Sequence, residues 1–101
     1  MLPMQDIVSI LSALAEPTRL AAMRVLWDGD EHCICELMQK IAASQSRMSR
    51  HMRVLKSAGL AIDRRDAQWV RYRANPDLPL AARAITEAVM AALTRAERKA
   101  A

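Results

Sequence analysis

Phenylalanine is absent from this chain, and two Trp and one Tyr are its only aromatics. The core must therefore come from Leu, Ile, Val, Ala and seven Met, a mixture that favours helices. Two Gly and four Pro leave little room for the many turns of an all-β domain. No apolar run approaches the roughly 18 residues that a membrane span requires. The amino terminus lacks a basic region followed by an apolar stretch, so no secretion signal is expected. The expected location is the cytoplasm, where thiols stay reduced and two cysteines argue for reactivity or metal binding rather than a structural disulfide. With two His, no suggestive Ser–His–carboxylate grouping and no Gly-rich phosphate loop, an enzyme is not expected.

What is present is a single-domain length of 101 residues with 52% apolar content, near the size at which one core becomes self-sufficient. The net charge of +4 is unevenly spread. Residues 1–39 sum to −4, residues 40–73 to +7 and residues 74–101 to +1. A basic block in the middle of the chain is the footprint of a nucleic-acid surface, although an ordinary solvated face has the same composition.

Apolar periodicity divides the chain into elements. Ile7, Ile10, Leu11 and Leu14 mark a first helix over residues 4–15. Pro17 suits the first position of a second helix, which carries Leu20, Met23 and Trp27 on one face and stops at Gly29. Ile34, Leu37, Met38 and Ile41 mark a short third helix. Ser44 is a suitable N-cap for a fourth, with Met48, Met52 and Leu55 as its buried stripe and Gly59 as its end. Leu60, Ile62, Val70 and Tyr72 then alternate with charged residues about Asp66-Ala67-Gln68, which suggests two antiparallel strands despite a turn without Gly. A last helix over residues 78–95 shows Ala81, Ala84, Ile85, Ala88, Val89 and Ala92 on one side. The fold class expected is mainly α (α+β): a winged helix-turn-helix in the order ααααββα. The helix-turn-helix covers residues 33–58, the wing 60–74, and the first and last helices pair two chains.

On the fourth helix, a rotation of ~100° per residue from the stripe of Met48, Met52 and Leu55 puts Ser46, Arg50 and Arg53 opposite the core. Arg47 and Ser49 flank that face, and Gln45 lies in the first turn. Early residues of such a helix read bases: Arg can grip guanine, Gln adenine, and Ser bases or phosphates. Arg53 and Lys56 suit phosphates, as do Arg64, Arg65 and Arg71 on the wing. His51, within the same helix, is expected to border DNA.

ALAEPTRLAAMRVL, CICEL, SQSRMSRHMRVLKSAGL and DRRDAQWVRYR together resemble the ArsR/SmtB family of metal-responsive bacterial repressors, over about residues 7–90. The nearest likeness is to the arsenite-responsive type, whose third helix carries C-V-C-D-L-C where this chain has Cys33-Ile34-Cys35-Glu36-Leu37-Met38. The resemblance implies a homodimer on a palindromic DNA operator, repressing until metal or metalloid binds, with Gln45, Ser46, Ser49 and Arg50 at DNA-contacting positions. Zinc or nickel members use Asp, His and Glu across paired last helices. Residues 77–101 hold no His or Cys, and Asp77 and Glu87 are the carboxylates before Glu97, so no zinc site is expected at the last helix.

Residues two apart on a regular helix point ~200° from each other, so Cys33 and Cys35 can grip one ion only at a frayed helix start or after that turn unwinds. Two thiolates suit As(III), Sb(III) or Cu(I) better than hard ions. Met38 stands where the family has a third cysteine and its thioether is a weak ligand, which leaves a third position to His32, a small-molecule thiol or water. His32, a lone histidine, is otherwise expected at the surface. Cysteine can also be core filler, although Ile34 and Leu37 already supply the core stripe. A thiol redox switch is a further alternative, with oxidation expected to bridge two chains or stop at a mixed disulfide, because a disulfide between residues so close is strained. A DNA-binding regulator with no ligand of its own shares every feature except a role for the cysteines.

Overall fold

The computed structural model describes residues 4–100; residues 1–3 and 101 of the expected domain lie outside the described residues. The elements run α1 (Met4–Leu14), α2 (Pro17–Leu26), β1 (His32–Cys33), α3 (Ile34–Ile41), α4 (Gln45–Ser57), β2 (Ala61–Asp66), β3 (Trp69–Ala74) and α5 (Leu80–Ala100). This is the expected winged helix-turn-helix with one addition. The two-residue strand β1 pairs antiparallel with β3, giving a three-stranded sheet in the order β1-β3-β2. A strand this short carries no alternation and is invisible to periodicity.

Local chemistry fixes the boundaries. Pro17 opens α2, and the Glu16 carboxylate caps it by accepting the Arg19 N–H at 2.9 Å. The Ser44 hydroxyl caps α4 by accepting the Arg47 N–H at 3.3 Å, which satisfies a donor that the helix start leaves free. Between α3 and α4 the chain turns through Ala42, whose φ of 58° and ψ of 48° lie in the left-handed region. The wing turn is two residues long, with Asp66 opposite Trp69. Its first residue, Ala67, has φ 55°, the position that a type II′ hairpin reserves for Gly.

The core lies where α2, α3, α4 and the sheet meet: Met23, Leu26, Leu37, Met48, Met52, Leu55 and Leu60 are fully buried. Each such side chain contributes about 1.5–3 kcal/mol by leaving water, so truncating Leu55 to Ala would cost about 2–5 kcal/mol. The expected stripe of α4 is therefore observed. The first and last helices bury only part of their apolar surface. On α1 the buried residues are Ile10, Ala13 and Leu14, while Leu11 is exposed. On α5 they are Ala82, Thr86 and Met90, with Ile85 and Val89 half-buried and Ala81, Ala84, Ala88 and Ala92 left open. Thr86 enters the core because its hydroxyl donates to the Ala82 carbonyl at 2.9 Å, which cancels its polarity.

Candidate nucleic-acid interface and thiol pair

Burial of Met48, Met52 and Leu55 turns the opposite side of α4 outward. Gln45, Ser46, Arg47, Arg50 and Arg53 are exposed and Ser49 is half-buried. Among the described residues no ion pair holds Arg47, Arg50 or Arg53. Like charges three residues apart on a helix repel by a few tenths of a kcal/mol each, so this row is electrostatically incomplete without an anion.

The wing behaves differently. Register places Arg64 opposite Arg71 and Arg65 opposite Val70, so Arg64 and Arg65 occupy opposite faces of β2. Arg64 is gripped by both carboxylate oxygens of Glu31, at 2.9 and 2.7 Å. Arg71 donates to Asp66 at 2.8 Å, and Lys56 to Asp63 at 2.7 Å. These hydrogen bonds hold the carboxyls of Glu31 and Asp66 below their ordinary range. Arg65 is exposed and in no ion pair among the described residues. The partners Glu31, Asp63 and Asp66 escaped the sequence reading, and for Glu31 no local pattern exists, because 33 residues separate it from Arg64.

His51 does not border the outer face. It is half-buried, its Nδ1 lies 3.2 Å from the Arg19 guanidinium and 3.6 Å from the Glu16 carboxylate, and it turns toward the α1–α2 junction. The helical phase allows this: His51 lies on the flank of α4, one turn from the buried Leu55 on one side and one turn from Arg47 on the other.

Cys33 is the N-cap of α3, in extended backbone at φ −65° and ψ 145°, and its sulfur accepts the Cys35 N–H at 3.2 Å. Of the two geometries open to the pair, the helix start is the one observed. The two sulfurs are joined as a disulfide, with the Cα atoms 5.1 Å apart. The expectation that oxidation would bridge two chains or stop at a mixed disulfide is thus corrected: the extended residue at the cap swings Cys33 round toward Cys35, and a Cα separation of 5.1 Å lies within the usual span of such bonds. A second correction concerns burial. Cys33 belongs to the core at 8% exposure while Cys35 is exposed, so only one sulfur is freely reached by solvent.

His32 is not a surface residue. It is 9% exposed, with Nε2 2.9 Å from Asp28 and Nδ1 2.8 Å from Glu36. Burial disfavours its charged form, but the bonds to the two carboxylates outweigh burial and raise its pKa above 6.5. Both ring nitrogens are engaged by carboxylates, so a metal would have to displace one of those bonds before His32 could serve as a third ligand. Among the described residues no group of three or more His, Cys, Asp or Glu is arranged to hold a metal ion. The donors at the helix start are thus two sulfurs, with Met38 half-buried one turn beyond Cys35.

A short helix, a left-handed turn, a capped basic helix and a hairpin define a winged helix-turn-helix protein. The model of the family described as bacterial regulatory protein, arsR family, matches residues 16–63, from the cap of α2 into the wing. An arsenic resistance transcriptional regulator of Pseudomonas putida is 43% identical over 69% of this chain and 61% of its own length. The arsenical resistance operon repressor of Escherichia coli is 38% identical over 80% of this chain and 70% of its own length. Among solved structures, HlyU from Vibrio cholerae is similar with a TM-score of 0.72 and 30% identity, over 84% of this chain and 88% of that one. The chain belongs to the arsR family of bacterial regulatory proteins, a family of regulators and not of enzymes. It spans less than two thirds of the Pseudomonas relative. Among the described residues no helix is long and apolar enough to cross a membrane.

Proposed function

We propose that this chain is a homodimeric transcriptional repressor that binds a palindromic DNA operator and leaves it when As(III), Sb(III) or a similarly thiophilic ion binds Cys33 and Cys35. The observation that carries the reading is the position of the two sulfurs side by side at the start of α3, the helix that leads through Ala42 into the cap of the arginine-bearing α4. Once reduced, that pair offers two soft donors to one centre, and any shift of the α3 start is felt by α4 across their shared packing. The names of the Pseudomonas and Escherichia relatives, both tied to arsenic resistance, support the choice of ion. The DNA contacts assigned are Gln45, Ser46, Arg47, Ser49, Arg50 and Arg53 on α4, with Arg64 and Arg65 on the wing.

The homodimer rests on unburied apolar surface. Met4, Val8 and Leu11 on α1 are 80%, 56% and 47% exposed, four and three residues apart and therefore on one face. The open alanines of α5 would allow a second chain to approach closely. Two α4 helices related by a two-fold axis then meet half-sites about 34 Å apart, or a multiple of it. Sedimentation of a monomer at micromolar concentration would reject this.

The deciding experiment adds arsenite to the reduced protein bound to operator DNA. Release by the wild type and retention by Cys33→Ser/Cys35→Ser supports the proposal, whereas equal release by both places sensing elsewhere. The disulfide between the sulfurs favours a second reading, in which an oxidant accepting two electrons and two protons from the thiols is the signal. Release by a thiol oxidant but not by arsenite selects it. Response to neither leaves a regulator without its own ligand.

A further inference from the structure

Glu31 ends the loop between α2 and β1, and its carboxylate takes the Arg64 guanidinium fork-on: Nε donates to one oxygen at 2.9 Å and a terminal nitrogen to the other at 2.7 Å. A planar pair of oxygens meeting two N–H groups is the geometry with which a guanidinium also meets a backbone phosphate. The pair joins residues 33 apart in sequence, and both partners remain open to solvent, Arg64 at 55% and Glu31 at 34% of the side chain. The loop is held at its other end by Asp28, which faces Nε2 of His32 at 2.9 Å. It runs directly into β1, where Cys33 lies opposite Arg71 of β3, itself opposite Arg64 of β2. Cys33, Arg71 and Arg64 thus form one rung across the sheet.

We infer that Glu31 is an intramolecular competitor for DNA phosphate, holding Arg64 in the free protein so that the wing can grip a duplex only by displacing it. The inference rests on the DNA-binding reading and adds a brake to the same surface. It separates the wing from α4: among the described residues the arginines of α4 are in no ion pair, and Arg64 is. Exposed ion pairs are weak, so phosphate wins the exchange and the brake trims affinity about two- to five-fold rather than abolishing binding. Its location makes the α2–β1 loop a route by which movement at Cys33 can change the wing's grip.

A phosphate contact is blind to sequence, so the test uses a labelled random-sequence duplex at low salt, roughly 50 mM, where such contacts are strongest. Glu31→Gln keeps the size of the side chain and removes its charge. It should bind about two- to five-fold more tightly than wild type, Arg64→Ala should bind more weakly, and Glu31→Gln/Arg64→Ala should match Arg64→Ala alone. Asp30→Asn, which removes an adjacent charge that does not touch Arg64, should match wild type. A gain from Glu31→Gln that survives in the Arg64→Ala background is a general charge effect and overturns the inference, as does no gain at all. If the wild type binds duplex and weakens on Arg50→Ala while the Glu31–Arg64 cycle is flat, only this inference falls. If the wild type binds no duplex, the DNA-binding reading falls and takes this one with it.

Discussion

Arg19 and His51 are joined, guanidinium to ring Nδ1 at 3.2 Å, and the bond ties α4 to the first turn of α2. The same guanidinium donates to the carbonyls of Ala13 at 2.7 Å and Ser12 at 3.2 Å, in the last turn of α1, where a helix runs short of intrahelical donors. One side chain thus closes α1, anchors the start of α2 and fixes the inner side of α4.

Arg19→Ala should therefore cost about 2 kcal/mol or more, because several bonds from one charged donor are lost together. Arg19→Lys should recover less than half of it, since an ammonium cannot reach three acceptors in a fork. Denaturant unfolding of the three proteins checks this, and a lysine variant as stable as wild type would show that only the charge matters.

Glu16 caps α2 from the other side of this cluster. Burial raises its pKa, but the N–H groups of Arg19 and Thr18 and the charges of His51 and Arg19 outweigh burial and leave it below 4.5. A carboxyl depressed on folding stabilises above its unfolded value and loses that contribution as pH falls through the folded one. Glu16→Gln should thus be less stable by about 0.5–1 kcal/mol at neutral pH, with the gap closing below about pH 4. A gap that stays constant from pH 7 to pH 3 would refute the assignment.

Ala42 and Ala67 occupy left-handed backbone, at φ 58° and 55°, where a Cβ costs about 1–2 kcal/mol. Ala42→Gly and Ala67→Gly should each raise stability by about 0.5–1 kcal/mol after the added freedom of the unfolded chain is counted. Unfolding midpoints that fall instead would mean that the alanine methyl groups pack more usefully than their backbone strain costs.

On the outer side of α4, Arg50→Ala should weaken operator binding by about 1–3 kcal/mol and relax the choice of sequence. Titration against operator and scrambled duplexes separates the two effects, and unchanged operator affinity would reject this face as the DNA-contacting one.

Much of this arrangement was legible in the sequence because it is local. The cap at Ser44, the stripe of Met48, Met52 and Leu55, and the outward arginines all follow from neighbours within one helix. The wing was legible from alternation about Asp66-Ala67-Gln68 even without a Gly. The pairing of Glu31 with Arg64 was not, and neither was the burial of His32 between Asp28 and Glu36, since both depend on how a loop settles on the sheet. The outer faces of α1 and α5 were legible as apolar, and Leu11 and the alanines of α5 are indeed exposed, but a periodic pattern alone does not say how much of each face its own core takes.

The thiol pair allows the sharpest test of the sensing reading. Cys33 is buried at the cap and Cys35 is exposed, but a serine at position 33 keeps an acceptor for the Cys35 N–H that Cys33 now caps, so Cys33→Ser and Cys35→Ser should differ in stability by less than about 1 kcal/mol. Both variants should still bind operator DNA, since neither position touches the outer face of α4, and each should remain bound when arsenite is added, because one sulfur cannot draw the α3 start into a chelate. Met38 lies three residues beyond Cys35 on the same helix, a spacing that puts two side chains on one face. Met38→Cys should accordingly supply a third thiolate and lower the arsenite concentration that releases DNA. Competition with a small dithiol measures that gain: tighter retention of arsenite by Met38→Cys than by wild type is expected. Equal retention would mean that the α3 start holds its third sulfur too far away, and that wild type and variant alike bind the ion through two protein sulfurs and a solvent ligand.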